Sequence, residues 1–239
     1  MYTCLYVYIT PPPFSGLSRK CNCDCISACF DDTLRWSKRE TTRSLIRSDG
    51  DSSIPPLFRS PQVMFHPHYV TLKNGQAALI RYVEPGDAES LIAHVNEIGA
   101  EGVLIRTEKL DLSPGEEADI LRKLNRDLTL FLVATIDRRI MGSSDVRRGQ
   151  LVKNFHTASL GIGIRKEARG LGLGKAMLDD GIRWAKSVGV RKLSLTVFAT
   201  NTSAIELYRQ LGFVEEARLK GQVILEGQPV DEIVMALWL

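Results

Sequence analysis

Residues 169–175, Arg-Gly-Leu-Gly-Leu-Gly-Lys, place Gly170, Gly172 and Gly174 at alternate positions between two cations. Glycines at that spacing let a backbone turn tightly and bring bare N–H groups close to a ligand. Before them, Leu160, Ile162 and Ile164 alternate with small residues, the pattern of a buried strand. After them, Leu178, Ile182, Ala185 and Val188 recur at helical steps from Lys175 onward. Unpaired N–H donors on a helix N-terminus attract anions, because the donors and the helix dipole both favour negative charge. The chemistry on offer is phosphate binding.

Two familiar phosphate loops do not fit. A nucleoside-triphosphate loop of the form Gly-x-x-x-x-Gly-Lys needs a following hydroxyl for magnesium, and residue 176 is alanine. A dinucleotide fingerprint needs Gly-x-Gly-x-x-Gly, whereas here the glycines stay one residue apart. What remains is Arg-x-x-Gly-x-Gly on Arg169, Gly172 and Gly174, or a glycine-rich turn that only joins strand to helix.

The elements that would position this loop occupy the later part of the 239 residues. A hydrophobic share of 44% with 25% charged residues is that of an ordinary globular protein. The net charge of +3 gives no case for nucleic acid, which calls for a dense basic face. No apolar run approaches the ~20 residues that span a bilayer. No membrane partner is expected.

Residues 1–63 are different material. They hold all five cysteines, with Pro11-Pro12-Pro13 and much Ser, Thr, Arg and Asp lacking steady periodicity. Such a composition buries too little apolar surface to offset chain entropy, so disorder is expected. Met64 directly precedes the first patterned residues, and the upstream tract reads equally as a non-native extension. Its opening apolar stretch lacks the basic lead and cleavage site of a signal peptide. Cys21, Cys23, Cys25 and Cys29 invite a metal reading, since clustered thiolates bind zinc or iron–sulfur centres. The spacing does not match paired zinc ligands, and His66 and His68 are separated by Pro67. No metal is expected. A domain of residues 64–239 without cysteine carries no sign of an oxidising compartment, so the cytoplasm is the default.

From Met64 on, the patterning predicts a strand over residues 77–83 and a helix capped by Asp87 with Leu91, Val95 and Ile98 on one face. A short extended piece follows at residues 103–106. Ser113-Pro114-Gly115-Glu116 opens a second helix with a capping box and a proline at its first position. A hairpin spans residues 129–146, the central strand starts near His156, and a clean alternating strand covers residues 192–198. Asn201 caps a fourth helix packed through Ala204, Leu207, Tyr208 and Leu211, and a hairpin over residues 221–238 closes the chain. This order predicts a mixed α/β sheet.

Arg169-x-x-Gly172-x-Gly174 resembles the acyl-CoA pyrophosphate loop of the GNAT superfamily of N-acetyltransferases. Asn201-Thr202-Ser203-Ala204-Ile205-Glu206-Leu207-Tyr208-Arg209-Gln210-Leu211-Gly212-Phe213 is similar to its second motif, Asn-x-x-Ala-x-x-Leu-Tyr-x-x-x-Gly-Phe, at every fixed position. The element order is similar too, over about residues 75–239. The resemblance implies the GNAT fold, with a mostly antiparallel sheet, flanking helices and a splayed acetyl-CoA cleft. It implies transfer of an acetyl group from acetyl-CoA to a primary amine through a ternary complex, the amine being a small amine, an amino acid, or a protein N-terminus or lysine. A non-catalytic acyl-CoA-binding or regulatory module on the same fold is the alternative.

Residue by residue, the resemblance assigns the pyrophosphate to the N–H groups of Gly170, Leu171, Gly172, Leu173, Gly174 and Lys175, with Arg169 touching a phosphate. Ile162, Gly163 and Ile164 would pair with pantetheine, and Gly161 or Gly163 would accommodate a strand bulge. An N–H near Ile162 would polarise the thioester carbonyl. Asn201 would contact the cofactor or simply cap its helix. Tyr208 would protonate the departing thiolate, its apolar body and polar tip suiting a cleft wall, with core packing as the structural reading. The base is undetermined. Relatives often place a glutamate three residues before Ile162, where this chain has Ser159. Glu97, Glu101, Glu108 and His156 are the substitutes. A homodimer is compatible with the sequence but unsignalled by it.

Overall fold

A computed structural model describes residues 64–239. The expected N-terminal extension and its cysteine cluster lie outside the described residues. The elements are β1 (His68–Thr71), β2 (Ala77–Tyr82), α1 (Ala88–Gly99), α2 (Pro114–Arg122), β3 (Thr129–Ile136), β4 (Arg139–Arg148), β5 (Thr157–Ile164), α3 (Leu173–Ser187), β6 (Lys192–Phe198), α4 (Thr202–Gln210), β7 (Val214–Leu225) and β8 (Gln228–Trp238).

The eight strands form one sheet in the order β1-β2-β3-β4-β5-β6-β8-β7. Every neighbouring pair is antiparallel except β5 and β6. Those two are parallel because α3 crosses between them, a connection that a tight turn cannot make. β3 shows how the sheet is sandwiched. Its Phe131 and Val133 pack with Leu91 and Val95 of α1 and Leu121 of α2. Its Leu130, Leu132 and Ala134 join the larger cluster that holds Met177 and Leu178 of α3 and Ile205 of α4. A strand covered on both faces needs an unbroken apolar run, and residues 130–134 supply it.

Local chemistry accounts for several boundaries. In α2, Ser113 Oγ accepts the Glu116 N–H at 3.3 Å, and Glu116 accepts the Ser113 N–H at 2.9 Å. Such a cap stabilises a helix by roughly 1 kcal/mol. Asp137 and Arg138 join β3 to β4 with φ of 49° and 65°. Two positive φ values give the hairpin turn whose twist matches that of the strands.

Several expectations need correction. β1 was not anticipated: its four residues include no run of alternating apolar positions. Residues 103–106 form bends, not a strand. Asp87 makes no side-chain cap on α1, because its carboxylate accepts Arg81 at 2.7 and 2.8 Å and the Glu84 N–H at 2.8 Å. On α4, Ala204, Leu207, Tyr208 and Leu211 pack in or against the core as expected, and Ile205, which the spacing did not single out, is buried as well. The last hairpin is longer than expected, β7 beginning at Val214.

Among the described residues, no helix is long and apolar enough to cross a membrane. Within that same span, no group of three or more His, Cys, Asp or Glu could hold a metal ion.

Candidate active site

The β5–β6 ladder ends early. Thr157, Ala158 and Ser159 pair with Lys192, Leu193 and Ser194, and beyond them the strands part. On its other edge β5 stays paired with β4 out to Ile164, with no break in register. The expected bulge at Gly161 or Gly163 is therefore not the device that opens the sheet; the parallel ladder simply stops. Arg165 donates to Met141 on β4 at 2.9 Å. Alternate residues of a strand face the same neighbour, so the main-chain groups of Ile162 and Ile164 face the opened side. Beyond Ser159 that edge of β5 is left without a partner strand among the described residues, and the Ile164 carbonyl accepts the Arg169 side chain.

That opening is a cleft of about 580 Å³. β5 forms one wall through residues 160–164, and β6 and α4 form the other through Thr196, Phe198, Asn201 and Tyr208. Leu104, Ile105 and Arg106, from the connection between α1 and α2, close one side. The glycine loop and Lys73 lie at one end.

The loop has the conformation that its glycines permit. Gly170 and Gly172 have φ of 72° and 94°, values that L side chains rarely adopt. A Cβ at either would meet nothing within 4 Å, so the space beside the backbone is open. Gly172 is the N-cap of α3, which starts at Leu173, two residues before the position its apolar spacing suggested. The N–H groups of the first helical turn have no partner within a helix. Leu173 is fully buried and Leu171 packs against the core, leaving only their main-chain groups for a ligand. The resulting cradle of donors at the positive end of a helix fits a pyrophosphate.

The charged residues sort differently from the sequence reading. Arg169 Nε donates to the Ile164 carbonyl at 2.8 Å, and its Nη atoms grip Glu101, one at 2.7 Å. That guanidinium holds the Glu101 carboxyl below the usual carboxylate range. Arg169 therefore fastens the α1–α2 connection to the glycine loop. Lys175 pairs with Asp179 at 2.7 Å from an exposed position. Asn201 Oδ1 accepts the Ala204 N–H at 3.3 Å, so the cap exists, and the residue also lines the cleft. Tyr208 is packed in the core and also reaches the cleft. It is 7% exposed, its ring lies 5.9 Å from that of Phe213, and it lines the cleft.

None of the proposed substitutes for the base lines the cleft. Ser159 sits where the strands are still paired. Glu97 pairs with Arg139 and Arg165, Glu101 with Arg169, and Glu108 and His156 are exposed elsewhere. The carboxylates that do line it are Glu206 and Glu232. Glu232 escaped the sequence reading because its partner, Arg106, is 126 positions away. The available signal was an acidic pair, Asp231-Glu232, directly before the apolar run of the last strand.

Gly163 has a steric duty too. A Cβ there would come within 3.1 Å of Ile98 and 3.8 Å of His94 Nε2. His94 is buried behind the strand with Nε2 3.1 Å from Ser143 Oγ. Burial, reinforced by Arg165, lowers its pKa to about 3, so the ring is neutral.

Residues 104–213 match the profile of the acetyltransferase (GNAT) family. A GNAT-family acetyltransferase from Streptococcus pneumoniae is 30% identical, over 68% of this chain and 99% of that one, with a TM-score of 0.64. This chain belongs to the GNAT family. An L-amino acid N-acetyltransferase of Escherichia coli K12 is 30% identical over 106 residues, which make up 44% of this GNAT chain and 65% of that protein. The chain thus spans under two thirds of the length of that relative. A phosphinothricin acetyltransferase from Sinorhizobium meliloti, solved in complex with acetyl-CoA, has a TM-score of 0.61 at 24% identity, over 68% of this chain and 88% of that one. At that identity the likeness is one of fold.

Proposed function

We propose that this protein is an acetyl-CoA-dependent N-acetyltransferase acting on a primary amine by direct attack. The observation that carries the reading is the unpaired edge of β5 running into a glycine cradle at the start of α3. An open strand edge offers main-chain pairing to an extended amide chain, and the adjoining donors offer charge neutralisation to a diphosphate. Pantetheine and pyrophosphate are joined in that order in acetyl-CoA, which supplies an activated acetyl group as a thioester.

The pyrophosphate lies on the N–H groups of residues 170–175, with the positive end of α3 behind them. Arg169, bound to Glu101 and to the Ile164 carbonyl, holds the loop in place and does not itself neutralise a phosphate. Ile162, Gly163 and Ile164 align pantetheine, and the Ile162 N–H polarises the thioester carbonyl. Asn201 keeps α4 capped at the cleft wall. The amine nitrogen forms a bond to the carbonyl carbon and the C–S bond breaks. Tyr208 gives its phenolic proton to the leaving sulfur and recovers one from the new amide nitrogen. The products are an N-acetyl amine and free CoA.

Small amines, amino acids and protein N-termini or lysines all satisfy that chemistry; the E. coli relative is named for L-amino acids. The test is release of free thiol from acetyl-CoA by the purified protein across a panel of these acceptors, with calorimetry of acetyl-CoA alone. Turnover with any class supports transfer. Tight binding with no turnover would replace the enzyme by a non-catalytic acyl-CoA-binding module. Failure to bind would overturn the reading of the glycine loop.

A further inference from the structure

Facing the acceptor side of the cleft is an ion pair that the acetyl-CoA reading does not use. Glu232 lies opposite Phe198 in the β6–β8 ladder. Its carboxylate is 1% exposed. Arg106 reaches it from the α1–α2 connection, Nε donating to Oε1 at 3.0 Å and Nη2 to Oε2. The Arg106 side chain is itself 36% exposed. Both residues line the cleft. On the same face of β6, Thr196 places a hydroxyl that is shut off from solvent and has no hydrogen-bond partner among the described residues.

The connection that carries Arg106 is held at both ends. Glu101 is gripped by Arg169, and Asn96 Oδ1 accepts the Leu110 N–H at 2.5 Å. Arg106 is therefore presented to the cleft from an anchored segment. Together with Glu232 and Thr196, it puts a cation, an anion and an unused hydroxyl on one wall.

A buried carboxylate is costly unless paired, and a pair that opens onto a cavity can exchange its partners for a ligand of complementary charges. A molecule carrying a carboxylate and an ammonium on one carbon matches that pair. We propose that the acceptor is a free α-amino acid, bound as its zwitterion with the carboxylate on Arg106 and the ammonium on Glu232. The Thr196 hydroxyl hydrogen-bonds the carboxylate. Glu232 takes one proton from the ammonium, which leaves the nitrogen lone pair free for attack, and passes that proton to solvent after the transfer. Glu232 is then the base that position 159 does not provide. An amide, a peptide bond or a decarboxylated amine lacks the negative group and leaves Arg106 without its ligand. The inference rests on the acetyl-transfer reading.

The test is thiol release from acetyl-CoA by the full chain with matched acceptors: a free amino acid, its amide and its decarboxylated amine, for several side chains. Losing a charge-assisted bidentate contact costs on the order of 100-fold, so the free acid is expected to exceed the amide in kcat/KM by about that factor. Arg106→Gln should bring the ratio to within roughly threefold, with Arg106→Lys in between. Glu232→Gln should lower kcat on all acceptors and steepen its rise with pH, a change that a merely structural glutamate would not produce. A second readout is calorimetric titration of the amino acid into CoA-saturated protein, where the acid binds and the amide does not. Retained acetyl-CoA affinity shows that each variant is folded. Amides or peptides turned over as well as free acids, or equal loss on all acceptors in Arg106→Gln and Arg106→Lys, would overturn the zwitterion site and leave acetyl transfer standing. Silence with every amine would overturn both.

Discussion

His94 makes the stability of this protein depend on pH in a calculable way. The ring has no exposed surface and lies on the inner side of α1, with Nε2 3.1 Å from Ser143 Oγ. Burial chiefly, then the charge of Arg165, lowers its pKa to about 3 from 6.5. Above pH ~6.5 the ring is neutral in both the folded and unfolded chain and costs nothing. Below it the unfolded chain gains a proton that the folded one refuses, so stability falls as pH drops toward 3. At pH 5 the imbalance is about 1.5 units, or about 2 kcal/mol at 1.36 kcal/mol per unit. For a domain of this size that is a fall in Tm of roughly 4–8 °C. His94→Gln keeps a side chain able to bond Ser143 but removes the titration. Urea unfolding of both proteins at pH 7.5 and 5.0 isolates the effect, because the other titrating groups are common to both. Asp180, whose carboxyl burial pushes up, is among those that cancel. The wild type should lose about 2 kcal/mol more than the variant between the two pH values. Equal losses would refute the assignment of a refused proton to His94.

Other expectations follow from the cleft. Tyr208→Phe keeps the ring against Phe213 and removes the proton donor, so kcat should fall by roughly 100-fold or more with acetyl-CoA affinity retained; parallel loss of both in kinetics and calorimetry would assign Tyr208 to packing. Gly172→Ala forces a Cβ onto a residue with φ of 94°, at a cost of roughly 1–2 kcal/mol. Its thermal melt should shift down and its acetyl-CoA Kd rise, and an unchanged Kd would remove Gly172 from the binding loop. A protein comprising residues 64–239 should fold cooperatively and bind acetyl-CoA as the full chain does, measured by melting and calorimetry; failure to fold would make the first 63 residues structural.

What was legible in the sequence was what neighbouring residues decide between themselves. The capping box at Ser113 and Glu116, the Asn201 cap and the glycine loop formed as their spacing implied. Most of the element order also followed, because helical periodicity survives in the burial of α3, two-residue alternation in that of β6, and the unbroken apolar run of β3 in its continuous burial. Elements without such periodicity were misread, as at β1 and at residues 103–106.

The partners of charged side chains were not legible. Asp87 looked like a cap and instead serves Arg81; Arg169 looked like a phosphate ligand and grips Glu101. Arg106 meets Glu232 across 126 positions. A helix cap is settled over three or four residues of backbone, so local spacing specifies it. A salt bridge is settled by whichever opposite charge the sheet order brings within reach. The amino-acid sequence by itself determined the family and the glycine turn at the start of α3; only the tertiary structure decided which charges face the cleft, because strands distant in the chain become adjacent only once the sheet is assembled.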